Sequence, residues 1–437
     1  MRILHTSDWH LGQHFMGKSR EAEHQAFLDW LIELVQEQRI DALIIAGDIF
    51  DTGTPPSYAR GLYSRFIVSL RNTHCQQLIV IGGNHDSVAT LNESKELLAC
   101  LNTFVVGGVS KDAREQVLVL NNGQGDPGAV ICAIPFVRPR DVLESQAGET
   151  GEGKQQALQQ AIAAHYQTIY TEAEKLAGER LPIIATGHLT TVGGQLSESV
   201  REIYIGTLSA FPVAAFPEAH YIALGHLHRP QVVAKQEHIR YSGSPIPLSF
   251  DEAGSDKQVI IVDFKGNDLN KIESVMVPVF RPLISLRGSL DSIDQQLAAL
   301  ASERAIEPAD EPANENDQQQ ATLNPWLEIE ITTDAYLHDL QSRVEQLVLA
   351  REELSSFELL RVRRKREKAA ASLTVADQES LAELNVEDVF QQRLQQEELT
   401  DEQLQQLTGA FQEILEDVFA ADKEHPMLAH HGQKDNA

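Results

Sequence analysis

The chain is poor in cysteine and in long apolar stretches, and each shortage excludes a class of protein. Three of the 437 residues are cysteine, an odd number without zinc-site spacing, so neither a disulfide framework nor a thiolate metal centre is expected. No apolar run approaches the ~20 residues that cross a bilayer, and the amino terminus enters a predicted strand at once, with no signal peptide before it. We therefore expect a soluble cytoplasmic protein without a membrane partner, and its length predicts two or three domains.

Positive charge is scarce as well, with 36 Lys and Arg against 64 Asp and Glu, a net charge of −28. Affinity for nucleic acids depends mainly on neutralising phosphates, so this chain should hold DNA poorly by itself. Part of the acidity is local, because residues 369–437 carry 15 acidic and 3 basic side chains. One basic run stands out, and it consists of Arg361, Arg363, Arg364, Lys365, Arg366 and Lys368. It is either a solvated linker or helix face, or a phosphate contact.

What the chain does contain is a series of five short motifs, each placed after an apolar run that predicts a buried strand. They are Asp8-Trp9-His10, Gly47-Asp48-Ile49-Phe50-Asp51, Gly83-Asn84-His85-Asp86, Gly187-His188 and Gly225-His226-Leu227-His228. The preceding runs, at residues 3–4, 42–46, 78–81, 183–185 and 221–224, alternate with helical patterns, which favours a sheet covered on both faces. Ligands gather at the carboxyl ends of the strands in such sheets, so we expect the motifs to converge on one site.

The converging side chains make up a ligand set for two divalent metals. They are all oxygen or imidazole donors, namely Asp8, His10, Asp48, Asn84, His188, His226 and His228. Such donors indicate a site for Mn²⁺, Zn²⁺ or Fe rather than a closed zinc site with thiolate ligands. One carboxylate must bridge if the ions are to lie about 3.5–4 Å apart, and Asp48, after a central strand, is the natural candidate. A single such motif is weak evidence, because a buried histidine is usually only hydrogen-bonded, whereas five in this order are specific.

The order of the motifs resembles that of the calcineurin-like metallophosphoesterases. Residues 1–12 and the tail beyond the core narrow the resemblance to the double-strand-break-repair nuclease branch of that superfamily. The implied fold is α/β, a layered α/β/β/α sandwich over residues 1–275. Alternating patterns then predict a small β-α-β-α unit over residues 276–360, similar to the capping domain of the family, with a disordered insertion at about 305–322. A basic linker (361–384), a helical partner-binding segment (385–420) and a disordered tail (421–437) complete the prediction.

The resemblance also implies a role for each side chain of the site. One metal would be held by Asp8, His10, Asp48 and His228, and the other by Asp48, Asn84, His188 and His226. Catalysis would depend on Asp48 as the bridge and on His85, which has no place among the ligands and is the candidate for contacting the phosphate or protonating the leaving 3′ oxygen. Asp51 and Asp86 are expected to orient histidines or backbone behind the ligands, with a purely structural role as the alternative.

The activity implied is that of a manganese-dependent DNA nuclease subunit, a 3′→5′ exonuclease on duplex ends and an endonuclease on hairpins, in DNA repair, recombination and replication. No Walker lysine loop is present, so any ATP dependence must come from a partner, expected to be a coiled-coil ATPase subunit of the SbcC type. A homodimer within a heterotetramer, associated with the nucleoid, is the implied assembly. A phosphoesterase of another specificity and a scaffold with a vestigial site remain alternatives. The apolar stripes of residues 385–420 either bind the partner or pack as a local hairpin.

Overall fold

A computed structural model describes residues 1–143, 151–192, 210–306, 322–333, 339–365 and Phe411. Most of the predicted insertion, the linker from Arg366 onward with Lys368, the helical segment apart from Phe411, and the tail lie outside the described residues. Residues 1–332 and 336–364 belong to one compact unit. Among the helices that are described, none has the length and apolar character needed to cross a membrane.

The described chain contains seventeen strands and eight α-helices. The strands are β1 (Arg2–Thr6), β2 (His14–Phe15), β3 (Lys18–Ser19), β4 (Ala42–Ala46), β5 (Gln77–Ile81), β6 (Thr103–Val106), β7 (Val117–Asn121), β8 (Pro127–Cys132), β9 (Ile183–His188), β10 (Tyr221–Gly225), β11 (Gln231–Val233), β12 (Gln236–Tyr241), β13 (Gln258–Lys265), β14 (Asp268–Met276), β15 (Leu283–Gly288), β16 (Trp326–Thr332) and β17 (Glu358–Lys365). The helices are α1 (Glu21–Glu37), α2 (Ser57–Leu70), α3 (Val88–Asn92), α4 (Lys95–Ala99), α5 (Pro139–Val142), α6 (Gly151–Ala177), α7 (Leu290–Ile306) and α8 (Leu340–Leu349).

Two six-stranded sheets form the centre of the larger α/β core, in the orders β14-β13-β1-β4-β5-β6 and β11-β12-β10-β9-β8-β7. Strands β1, β4, β5 and β6 run parallel, as do β8, β9, β10 and β12. Every residue of β4 is buried, because alternate side chains point to opposite faces and both faces are covered. Leu43 packs toward α1 and α2, whereas Ile44 packs against the second sheet. Helix α6 covers the outer face of the second sheet. The predicted α/β/β/α layering is confirmed.

The predicted capping domain is built on a three-stranded sheet, β15-β16-β17, with α7 and α8. Its own core contains Ile293 and Leu297 of α7, Ile329 of β16 and Val344 of α8. A smaller cluster joins it to the larger α/β core, where Trp326 stacks on Phe15 with ring centroids 5.5 Å apart.

The structure differs from the sequence prediction at the end of this domain. Strand β17 follows the predicted β-α-β-α unit and takes up residues 361–365, which were assigned to a linker. The physical reason is that Arg361 and Arg363 form ion pairs with Glu328 and Glu330 of the neighbouring strand β16, and these glutamates are buried. The described part of the basic run, residues 361–365, therefore lies in a strand, where the sequence predicted a linker.

Candidate metal centre

The predicted ligands lie where parallel strands of both sheets end. In the first sheet Asp8 follows β1, Asp48 follows β4 and Asn84 follows β5. The second sheet supplies His188 as the last residue of β9 and His226 directly after β10. The sequence predicts this convergence. The apolar runs alone indicate a covered sheet, and the structure joins the carboxyl edges of two sheets, in agreement with the α/β/β/α layering that the resemblance implies.

The backbone around these ligands is strained. Asp8, His10, Asp48 and His226 have φ values of 54°, 47°, 50° and 97°. Non-glycine residues in this region cost on the order of 1–3 kcal/mol each, and such strain clusters at functional sites. The motif glycine Gly83 is required by close approach, because a Cβ there would lie 2.2 Å from Asp48 Oδ1. The fold thus keeps four candidate ligands in costly conformations that aim their side chains at one place.

The side chains form two compact groups. Asp8, His10 and His228 each offer a donor atom within 4.8 Å of the others, and so do Asp48, His188 and His226. Asn84 Oδ1 joins the second group, 3.0 Å from His188 Nε2 and 3.1 Å from His226 Nδ1.

A single oxygen lies between the two groups. Asp48 Oδ2 is 3.6 Å from His10 Nε2 and 3.2 Å from His188 Nε2, so one histidine of each group faces it. The other oxygen, Oδ1, accepts a hydrogen bond from the His85 backbone N at 2.9 Å, which fixes the carboxylate plane. This is the position that a carboxylate bridging two cations requires.

Two buried ring nitrogens indicate whether these residues are suited to bind metal ions. His10 Nε2 and His226 Nε2 are buried and have no hydrogen-bond partner among the described residues. Orphaned buried polar atoms are uncommon and need an explanation. Imidazole lone pairs beside carboxylates, with no thiolate in either group, are a fitting environment for divalent cations of the Mn²⁺ or Zn²⁺ type.

The electrostatics of the centre favour positive charge. Burial opposes protonation of His188, but the neighbouring Asp48 carboxylate outweighs it and raises the His188 pKa to about 9. Burial likewise opposes ionisation of Asp48, yet His188 and His10 hold the pKa of Asp48 well below its usual value. The pKa of His226 is lowered by burial and by His188. Carboxylates that hold a proton on a buried histidine are equally suited to hold a metal ion.

Groups behind the ligands orient them. Asp51 Oδ1 lies 3.1 Å from His10 Nδ1, and the Ala46 carbonyl lies 2.9 Å from His188 Nδ1. When Nδ1 donates to these oxygens, the Nε2 lone pair of each ring points at Asp48. Asp86 acts on the backbone instead, and its carboxylate accepts hydrogen bonds from the amides of Ile49, Phe50 and Gly83. Burial and the nearby Asp48 charge raise the pKa of Asp86 to about 6.

His85 lies at the edge of the two groups, next to open space. Its Nδ1 is 2.7 Å from the Asp51 carbonyl, and its ring centroid is 4.7 Å from that of His10. Together with His10, Asp51 and His228 it lines a cavity of about 320 Å³, which we call the metal cavity. A phosphate in this cavity can touch both His85 and the candidate ligands, as the predicted role requires.

The sequence of this chain is similar to those of known proteins. Residues 1–230 match the calcineurin-like phosphoesterase family, and residues 279–398 match a family described as type 5 capsule protein repressor C-terminal domain. The chain is 53% identical over 412 residues to the SbcD component of the SbcCD nuclease of Escherichia coli (strain K12), and the match covers 94% of this chain and 97% of that protein. The chain belongs to the SbcD nuclease family. It is therefore a metal-dependent phosphodiesterase of the nuclease type, as predicted.

More distant members have the same name. The SbcD protein of Rhodobacter capsulatus is 36% identical over 81% of this chain and 88% of its own length. That of Bacillus subtilis is 33% identical over 66% of this chain and 73% of its own length. The resemblance drawn from the motifs is confirmed at the level of the SbcD family, whereas the role of each site residue stays a prediction.

One residue behind the metal centre of this SbcD family member was missed in the sequence. Glu252 Oε1 lies 3.5 Å from Nδ1 of His228, and Glu252 Oε2 accepts a hydrogen bond from Lys257 Nζ at 2.6 Å. Glu252 and Lys257 are both buried. Burial opposes the charge of Glu252, but His228 and Lys257 lower its pKa below the usual range. The only sequence signal is an opposite-charge pair five residues apart, well after the last motif.

Replacing Glu252 by glutamine is expected to weaken metal binding by roughly 10–100-fold, the usual effect of losing an outer partner of a ligating histidine. The amide cannot hold the Nδ1–H of His228 as strongly as a carboxylate can, so the ring loses orientation. Isothermal titration with Mn²⁺ measures the dissociation constants. Glu237→Gln, at an exposed position in β12, is the matched control. Equal affinities in the two variants would show that Glu252 only stabilises the loop.

The residues of the basic run have different surroundings in this SbcD family member. Arg361 pairs with Glu328, and Arg363 pairs with Glu330 and lies 3.7 Å from Glu328. Arg364 and Lys365 follow in the same strand, and Arg366 lies outside the described residues. Among the described members of the run, Arg361 alone lines the metal cavity.

Proposed function

We propose that this chain cleaves DNA phosphodiester bonds at a centre of two divalent ions, with manganese as the working metal. The observation that carries the proposal is the position of Asp48 Oδ2 between His10 Nε2 and His188 Nε2. When bound, the ions would lower the pKa of a water toward about 7 and neutralise charge on the phosphoryl oxygens. Asp8, His10, Asp48 and His228 hold one ion, and Asp48, Asn84, His188 and His226 hold the other.

His85 supplies the proton in this proposal. Its Nδ1–H donates to the Asp51 carbonyl, so the proton that can be transferred is the one on Nε2. That proton passes to the leaving 3′ oxygen as the P–O bond breaks. Asp51 keeps both His10 and His85 in place, one through its side chain and the other through its main chain.

The biological setting is proposed from the relatives that are named as components of the SbcCD nuclease. The chain acts as a homodimer within a heterotetramer whose other component is a coiled-coil ATPase of the SbcC type. Because this chain has no Walker loop, that ATPase supplies the ATP dependence. It degrades duplex ends in the 3′→5′ direction and opens hairpins. Repair, recombination and replication at the nucleoid, in the cytoplasm, are the processes it serves.

Turnover on three substrates tests the proposal. The full chain, with and without its ATPase partner, is assayed on duplex DNA, hairpin DNA and a small phosphodiester in Mn²⁺, Mg²⁺ and Zn²⁺. Cleavage of all three substrates, fastest in Mn²⁺, is expected. Hydrolysis of the small ester alone would indicate a phosphoesterase of another specificity, and no turnover in any metal would indicate a scaffold with a vestigial site.

Deleting residues from Asn385 onward is expected to abolish ATP-stimulated cleavage of duplex DNA while leaving hydrolysis of a small phosphodiester unchanged. The reason is that the amphipathic stripes at 385–420 are proposed to dock the ATPase, and the acidic chain has little DNA affinity of its own. Co-purification with the partner and metal analysis are the measurements. A truncated chain that still binds the partner as tightly as the full chain does would place the docking surface elsewhere.

A further inference from the structure

A second cavity adjoins the metal cavity on the far side of one aromatic ring. It has a volume of about 620 Å³ and lies between the loop that carries Asp251 and strand β15 of the capping domain. Phe250 lines both cavities. The Phe250 ring is buried against Phe15 with centroids 5.1 Å apart, so it is a fixed wall at the junction.

Arginines line both cavities, one on the near side of Phe250 and two on the far side. Arg361 lines the metal cavity, and its guanidinium carbon lies 5.8 Å from the centroid of the Phe250 ring. Beyond the ring, Arg229 and Arg287 line the second cavity. In a chain with a net charge of −28, three arginines therefore lie along two cavities that share Phe250.

Each of these arginines is held in place by a short polar side chain or a buried acid. Glu328, fully buried, pairs with Arg361 and also accepts a hydrogen bond from Ser285 Oγ at 3.1 Å. Arg229 Nη2 lies 3.2 Å from Asp251 Oδ2, while Arg229 Nε is buried and has no hydrogen-bond partner in the part of the chain that the structure describes.

Arg287 is the exposed member of the series. Its Nε donates to Ser285 Oγ at 3.3 Å, and its side chain has no ion pair among the described residues. The second cavity is therefore lined by two arginines and one aspartate, which leaves it one positive charge in excess. An anion can take up that excess without displacing an existing pair.

We propose that this cleft binds the backbone phosphates of the nucleic-acid strand whose scissile bond lies at the metal centre, with Arg361 first and Arg229 and Arg287 beyond Phe250. The inference rests on the proposed function and adds the course of the substrate strand. A chain of phosphates fits because the two cavities meet at Phe250 and an arginine lies on each side of it. The charged groups proposed to hold the strand are guanidinium groups that contact phosphates, so recognition is independent of sequence.

The test uses the full chain in Mn²⁺ and compares Arg287→Gln with the wild type on oligonucleotides and on a small phosphodiester. Losing one phosphate contact should lower kcat/KM on DNA roughly tenfold at 50 mM salt and about threefold at 200 mM, because each contact contributes about 0.7–0.9 to the salt slope. Turnover of the small ester, which does not reach past Phe250, should be unchanged. Arg287→Lys keeps the charge and should restore the slope.

Arg343→Gln is the matched control, since it removes the same charge from helix α8 of the same domain, away from the cleft. Identical salt slopes for Arg287→Gln and Arg343→Gln, with DNA still cleaved, would overturn the cleft and leave the proposed function intact. An equal loss on the small ester and on DNA would also overturn it, because Arg287 would then act on the metal centre. A wild-type chain that cleaves no substrate would refute the proposed function itself.

Discussion

Replacing Asp48 by asparagine is expected to abolish DNA cleavage and to leave fewer than two ions per chain. Asp48 Oδ2 is the oxygen that faces a histidine of each ligand group, so a neutral amide at this position loses the negative charge that holds both ions. Two-metal stabilisation of a phosphoryl transition state is worth several kcal/mol, so the loss of rate should exceed about 10³-fold. Elemental analysis and a turnover assay on duplex DNA measure the two effects.

The control for this experiment lies at the other end of the same strand. Asp41 precedes β4, and its Oδ2 accepts a hydrogen bond from the Arg2 amide at 2.7 Å, far from the metal centre. Asp41→Asn should keep both the metal content and the rate. If Asp48→Asn retained two ions and full activity, the two-metal assignment would have to be abandoned.

Replacing His85 by glutamine should separate catalysis from metal binding. His85 belongs to neither of the two proposed ligand groups, so the ions should stay bound while the proton donor for the leaving oxygen is lost. The expected rate reduction is roughly 10²–10⁴-fold, the range typical of general acid catalysis. Metal content and kcat are measured on the same preparation.

His14→Gln provides the comparison, because His14 lines the same cavity, lies outside the proposed ligand groups and places its Nδ1 3.2 Å from the nearby Gly12 carbonyl. It should change kcat little. A fall in metal content that parallels the fall in activity of His85→Gln would instead make His85 a ligand. His10, Asp51 and His85 do lie close enough together for that outcome to be a real test.

Much of the fold was accessible from local patterns. The aliphatic run at 42–46 coincides with β4, and the run at 78–81 lies within β5. The helical pattern between the runs at 3–4 and 42–46 corresponds to α1, Glu21–Glu37. These predictions succeeded because periodicity and strand length are properties of neighbouring residues. The β17 strand was missed because its charges are neutralised by glutamates some thirty positions earlier, which no local pattern records.

The sequence by itself determined which side chains can form the centre and the SbcD family to which the chain belongs, since each motif lies at or just after the carboxyl end of its own strand. Only the tertiary structure decided that His188 and His226 arrive from a second sheet, and that one oxygen of Asp48 faces both groups. It also decided that Glu252 lies behind His228 and that Arg361 reaches the cavity. These contacts join residues that are far apart in the chain. They depend on how the sheets and domains pack, and a short-range sequence pattern does not encode that packing.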